Sequence, residues 1–144
     1  MSEAKKVRVT LSLDDLDYIK KSDASYEFEY LTPDGEGTGV FISVLGGQAE
    51  VVTREVAALL NDRRRKEATR AMKARGGKKQ QAEYDPIEED IEFGQRMAAI
   101  RIVGWRGITD PFSRDNAMRL CATNREVAAQ VIEHSDNMAN FTKL

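Results

Sequence analysis

The sequence holds few of the side chains that usually perform catalysis, and each has an ordinary structural interpretation. His134 is the only histidine and Cys121 the only cysteine in the chain. His134 falls near the end of a predicted helix, where an imidazole interacts favourably with the helix dipole. Cys121 occupies a core position of another predicted helix, which is typical of an inert buried thiol. We therefore expect neither residue to be catalytic.

Two short patterns resemble ligand sites. The stretch EEDIE places Glu88 and Glu92 one helical turn apart, but without a nearby histidine it predicts a solvated acidic first turn that complements the helix dipole. The stretch GEGTG at 35–39 lacks the strand-to-helix setting and the lysine of a phosphate-binding loop, so it predicts a turn. No cysteine and histidine spacing indicates zinc. We predict no metal site, no cofactor and no enzymatic activity.

A run of cations is the stronger candidate for a binding site. Residues 48–81 hold 10 basic and 4 acidic side chains, whereas residues 82–99 hold 1 and 6. These two segments could meet each other, within one chain or between subunits, or could form charged docking surfaces. The candidate partner-binding residues are Arg63, Arg64, Arg65, Lys66, Arg70 and Lys73.

Such a run could neutralise several phosphates of a nucleic acid. However, the sequence pI is about 5.5, and no aromatic residues interleave with the cations. The pattern therefore favours docking on an acidic protein surface over nucleic-acid binding.

The elements around these residues predict an α+β fold. We divide the chain into an N-terminal β-rich segment (1–47), a long basic helix with the start of a linker (48–81) and a C-terminal helical region (82–144), within one domain overall. The fold class is a β-hairpin or small antiparallel sheet packed on a mainly helical core, with a long basic helix and a C-terminal helix bundle.

Alternating residues in SYEFEYL and VFISVLG, joined by a Pro-Asp-Gly turn, predict the hairpin. An isolated hairpin is marginally stable, so a third strand or helices must cover it. Residues 7–13 are the candidate third strand, since Val7, Val9, Leu11 and Leu13 alternate. The same region could instead form a short helix capped by Ser12 with Asp15.

Helical spacing predicts the remaining elements. A long helix begins at Ala49 or Thr53 and ends at Ala74; its first half should dock on the core and its second half project into solvent or onto a partner. A helix from Pro86 to Val103 should form the centre of the core. Two shorter helices follow the N-cap residues Ser113 and Asn124.

The stretch GWRGITDPFSRDN, residues 104–116, joins these helices. Trp105 and Phe112 predict an aromatic seal at a structural hinge. The alternative is that Trp105 is an exposed hot spot on a protein interface.

This part of the chain resembles the tail assembly chaperones of long-tailed bacteriophages. In that family a helix runs into a W-x-G-I/V turn, and P-F-S/T-x-x-N then opens a further helix. The matching family-motif residues are Trp105, Gly107, Ile108, Pro111, Phe112, Ser113 and Asn116.

The resemblance implies a non-catalytic, homo-oligomeric protein of the host cytoplasm that binds the tape measure protein, and in some cases the tail tube protein, during tail assembly. The alternatives are a structural tail or connector protein retained in the virion, and a small nucleic-acid-binding regulator that uses the basic helix. No stretch approaches the roughly 20 apolar residues of a membrane span and the N-terminus has no apolar leader, so we expect no membrane partner.

Overall fold

The computed structural model describes residues 10–75 and 86–143, and it confirms the predicted α+β fold. Val7 and Val9 of the predicted strand and most of the predicted linker lie outside the described residues. The helices are α1 Tyr18–Lys21, α2 Glu50–Arg75, α3 Pro86–Arg101, α4 Arg114–Thr123 and α5 Arg125–Asp136, and the strands are β1 Tyr26–Leu31, β2 Gly37–Val44 and β3 Ile102–Arg106.

The predicted hairpin is confirmed as β1 and β2. The two strands pair antiparallel, with Phe28 opposite Ile42. The turn between them closes where the Gly35 N–H donates to the Thr32 carbonyl over 2.7 Å, and Gly35 adopts a φ of 89° that favours glycine. Phe28 and Ile42 are both buried, so one face of the hairpin is apolar and packed.

The third strand is not residues 7–13. It is β3, which pairs antiparallel with β2 in a sheet of order β1-β2-β3. Residues 10–13 form no strand, and Ser12 and Asp15 instead exchange backbone-to-side-chain hydrogen bonds of 2.9 and 3.1 Å. The predicted Ser12–Asp15 bonds therefore form, but the single short helix of the alternative interpretation is wrong, because a 3-10 turn over Asp14–Leu16 is followed by a separate α1 with its own N-cap, Asp17.

The helix predicted to reach Val103 ends at Arg101, because the chain then pairs with β2. Val44 lies opposite Ile102 and Ile42 opposite Trp105, so Val103 is an extra residue in β3. This bulge lets Ile102 and Trp105 share the face that carries Ile42, although they are three positions apart. Val103 is 40% exposed, whereas Ile102 is fully buried.

The core lies between this sheet face and the helices α3, α4 and α5. The second half of α3 is central to it, as predicted, since Ala98 and Ala99 are buried. The first half is not, because Ile87 is 70% exposed. The main buried side chains around α3 are Phe28, Ile42, Val44, Ile102, Ala117, Cys121, Val127 and Val131.

The N-caps of the two C-terminal helices are confirmed. The Ser113 hydroxyl accepts a hydrogen bond from the Asn116 N–H over 3.0 Å, and the Asn124 side chain accepts from Glu126 and Val127. Each bond satisfies a backbone donor that the helix itself cannot. The shared core holds α3, α4 and α5 against the sheet, and α2 lies against α3.

Candidate partner-binding groove

Helix α2 runs antiparallel to α3 and changes character along its length. Val52, near its start, is buried, and Val56 and Leu59 are half-buried. The same side of the helix then carries Arg63 and Arg70, which contact α3 through charge. Apolar contacts therefore hold the first half of α2 in place, and ion pairs with α3 hold the second half.

The predicted projection of the second half is therefore wrong as far as Arg70. Arg63 pairs with Asp90, and its guanidinium also lies 4.9 Å from the centre of the Phe93 ring. Arg70 binds Glu89 with an N–O distance of 3.0 Å, and this hydrogen bond lowers the pKa of Glu89. The basic and acidic segments thus meet within one chain, which is one of the alternatives that their charges predicted.

The other predicted partner-binding residues do not form one patch with these two. Arg65 and Lys66 approach Asp62 on their own helix, at 3.4 and 3.5 Å. Arg64 and Lys73 are exposed, and neither makes an ion pair with a residue that the structure describes. The cations therefore divide into pairs that hold α2 in place and charges that face solvent.

Between the first half of α2 and the second half of α3 lies a cavity of about 400 Å³. We call it the α2/α3 groove. Leu59, Ile100 and Met118 supply large apolar side chains, from α2, α3 and α4 respectively. The lining also includes Glu55, Ala58, Asp62 and Arg96.

Sequence reasoning did not identify this groove. Its α2 residues follow a helical signal, since 55, 58, 59 and 62 share one face. The α3 and α4 residues carry no comparable signal, because only the packing of three helices brings them to the same place. The groove is an apolar depression beside two helices, which suits the side of an amphipathic helix.

The walls of the groove carry charges of both signs. On α2, Glu55 is exposed and makes no ion pair with any described residue. On α3, one terminal nitrogen of Arg96 binds Glu92 at 3.2 Å. The Arg96 Nε is enclosed by the protein and has no hydrogen-bond partner among the described residues, whereas the side chain as a whole is 43% exposed.

The family-motif residues have structural roles in β3 and in the loop before α4. The Trp105 Nε1 donates to the Asp110 carbonyl over 2.9 Å. The Trp105 and Phe112 rings meet edge to face, with centroids 5.3 Å apart. This contact is the predicted aromatic seal, although Trp105 lies in strand β3 and not in a hinge between two helices. Trp105 is half-buried.

Gly107 and Asn116 complete the same connection. Gly107 has a φ of 90°, and a Cβ built on it would overlap the Gly39 carbonyl oxygen and lie 3.0 Å from the Val40 Cα. The Asn116 side chain donates to the Pro111 carbonyl over 2.8 Å. These contacts hold the loop against β2 and against the start of α4.

Cys121 and His134 lie in the packed part of the molecule. Burial raises the pKa of the Cys121 thiol to about 11, so at neutral pH the nucleophilic thiolate is scarcely populated. His134 lies in the last turn of α5, and its ring stacks on Phe28 with centroids 4.2 Å apart. Burial lowers the pKa of His134, while the charge of Glu133 opposes this shift.

Residues 10–75 and 86–143 can also be considered for metal sites and for membrane-spanning helices. Acidic residues, histidines and cysteines form no group of three or more that could hold a metal ion there. No helix in those ranges has the length and apolar character to cross a membrane.

Comparison of the chain with protein-family models, with curated proteins and with solved structures finds no match.

Proposed function

We propose that this protein is a tail assembly chaperone of a long-tailed bacteriophage, which binds the tape measure protein without catalysis. The α2/α3 groove is the observation that carries the proposal. Its apolar floor of Leu59, Ile100 and Met118 matches the apolar face of an amphipathic helix. A tape measure protein is long and helical in the family that the chain resembles, so it would present such faces before tail tube subunits surround it.

The internal charge pairing supports a protein partner over nucleic acid. Arg63 and Arg70, two of the six candidate cations, bind Asp90 and Glu89 of the same chain. A nucleic acid would have to compete with these carboxylates, which reduces the number of phosphates that the helix can neutralise. A helix that binds in the groove does not have to displace these carboxylates, because the apolar lining of the groove is open.

The buried thiol supports a role without nucleophilic catalysis. Cys121 is fully buried, and its pKa of about 11 disfavours the thiolate. We also expect copies of the chain to associate, as in the family that it resembles.

Co-expression with the tape measure protein, with an affinity tag on the chaperone, tests the proposal. We expect the tape measure protein to remain in solution and to be captured with the tagged chain. Mass spectrometry of purified phage particles then separates the two tail-related functions. A stoichiometric amount of this protein in the particle would instead indicate a structural tail or connector protein.

A further inference from the structure

The two walls of the α2/α3 groove carry opposite charges, so a helix bound between them would need a cation on one flank and an anion on the other. On the α2 wall, Glu55 offers a carboxylate that no described residue neutralises. Asp62 on the same wall already receives Arg65 and Lys66 at 3.4 and 3.5 Å. Glu55 is therefore the carboxylate on this wall that is open to a cation of the partner.

The α3 wall offers a donor in place of an acceptor. Arg96 uses one terminal nitrogen for Glu92, and its side chain as a whole is 43% exposed. A carboxylate of the partner that reaches the exposed part of this guanidinium from the groove would form a charge-assisted hydrogen bond with it.

Glu55 and Arg96 line the same cavity, together with the apolar residues Leu59 and Ile100. We infer, on the basis of the proposed function, that the α2/α3 groove selects an amphipathic helix with an apolar stripe, a Lys or Arg on the flank facing Glu55 and an Asp or Glu on the flank facing Arg96. The charges also set the direction of the bound helix, since reversing it exchanges its flanks.

Three synthetic peptides of about 18 residues, or five helical turns, test this selection. All share one stripe of leucine and alanine. The first has lysine on one flank and glutamate on the other, the second has lysine on both and the third has glutamate on both. Fluorescence anisotropy at about 150 mM salt, where distant charges are screened, measures their affinities for the whole protein. We expect the mixed peptide to bind about tenfold more tightly than either other peptide.

Two variants assign the charges to their walls. Glu55→Gln should remove the advantage of the mixed peptide over the all-glutamate peptide, because the repelling carboxylate is gone. Arg96→Gln should remove its advantage over the all-lysine peptide. Glu36→Gln, in the hairpin turn, and Arg125→Gln, on the surface of α5, serve as matched controls and should leave the ranking unchanged. Circular dichroism checks that each variant is folded. If Arg96→Gln does not fold, the result for Glu55→Gln alone decides the test.

Equal affinities for the three peptides, or no binding of any, would overturn the inference. The peptide assay contains no tape measure protein, so its outcome is independent of the capture experiment. If the tape measure protein is captured but the peptides are not ranked, the selection is wrong and the proposed function stands. If the peptides are ranked as expected but the tape measure protein is not captured, the selection stands and the proposed function is wrong.

Discussion

Gly107 adopts a left-handed backbone conformation where β2 passes close to the turn after β3. Its φ is 90°, and the Gly39 carbonyl and the Val40 Cα occupy the space that a Cβ would need. A side chain here meets two obstacles, an unfavourable φ and contact with backbone atoms that cannot rotate away. This explains in physical terms why the W-x-G element contains glycine in this chain.

Gly107→Ala should therefore lower the free energy of unfolding by about 2 kcal/mol or more. Gly94→Ala is the matched control, since Gly94 lies within α3 with no atom within 4 Å of a built Cβ. It should raise the free energy of unfolding by about 0.5–1 kcal/mol, because alanine favours a helix. Urea unfolding measures both, and equal effects of the two substitutions would contradict this role of Gly107.

His134 connects helix α5 to the sheet through its ring. It stacks on Phe28 at 4.2 Å and lies 5.8 Å from the Tyr26 ring. Burial lowers its pKa below the ordinary value of 6.5, while the charge of Glu133 opposes this shift. The folded protein therefore binds a proton at His134 less readily than the unfolded chain does.

The stabilisation from neutral His134 is accordingly complete above about pH 6.5 and is lost as the pH falls through the lower pKa of the folded state. His134→Phe keeps a ring against Phe28 and cannot be protonated, so its stability should change less between about pH 7 and pH 5. The pKa values of Glu27 and Glu89 are lowered from their ordinary value of 4.5. Their protonation therefore changes the stability only below this pH range. Identical pH profiles of wild type and variant in urea unfolding would refute the assignment.

Among the elements, those with local signals were predicted from the sequence. The hairpin has a period of two and a Pro-Asp-Gly turn, and the helices α4 and α5 follow the N-cap residues Ser113 and Asn124, whose cap bonds form within three residues. Strand β3 was missed because its bulge at Val103 breaks the alternation and because only pairing with β2 converts this segment from helix to strand. Local patterns cannot report a partner strand that lies about 60 residues away in the chain.

Helix α2 depends on ion pairs for the position of its second half. Arg63 and Arg70 bind Asp90 and Glu89 at the start of α3, and the residues after Arg70 are exposed. Because such pairs near the surface each contribute about 1 kcal/mol or less, this part of the helix should open more readily than its first half.

Reversing one charge with Arg70→Glu should speed amide hydrogen exchange in residues 63–75 with little change in global stability. Adding Glu89→Arg restores a pair of opposite charges and should slow that exchange again. High salt should speed it in the wild type, because salt weakens the pairs. Unchanged exchange in the single variant would show that α2 is held by other contacts.

Taken as a whole, the molecule forms the proposed binding surface from parts that no single segment contains. The α2/α3 groove joins Leu59, Ile100 and Met118, residues that are scattered along the chain and have ordinary helical patterns around them. The sequence indicated the basic helix as a candidate binding site. It could not show that two of its cations, Arg63 and Arg70, instead hold the helix against α3. The proposed binding surface is therefore the product of tertiary packing, with apolar contacts at one end of α2 and ion pairs at the other.

The most direct test of the proposed function is to fill the groove and measure capture of the tape measure protein. Ala58 lines the groove and is exposed, so Ala58→Trp should occupy the groove without unfolding the chain. Ala57, its exposed neighbour on α2, gives Ala57→Trp as the matched control, and circular dichroism verifies both folds. We predict that Ala57→Trp captures the tape measure protein as wild type does, whereas Ala58→Trp captures at least about tenfold less. Equal capture by the two variants would contradict the groove as the binding site, and no capture by the wild type would contradict the function itself.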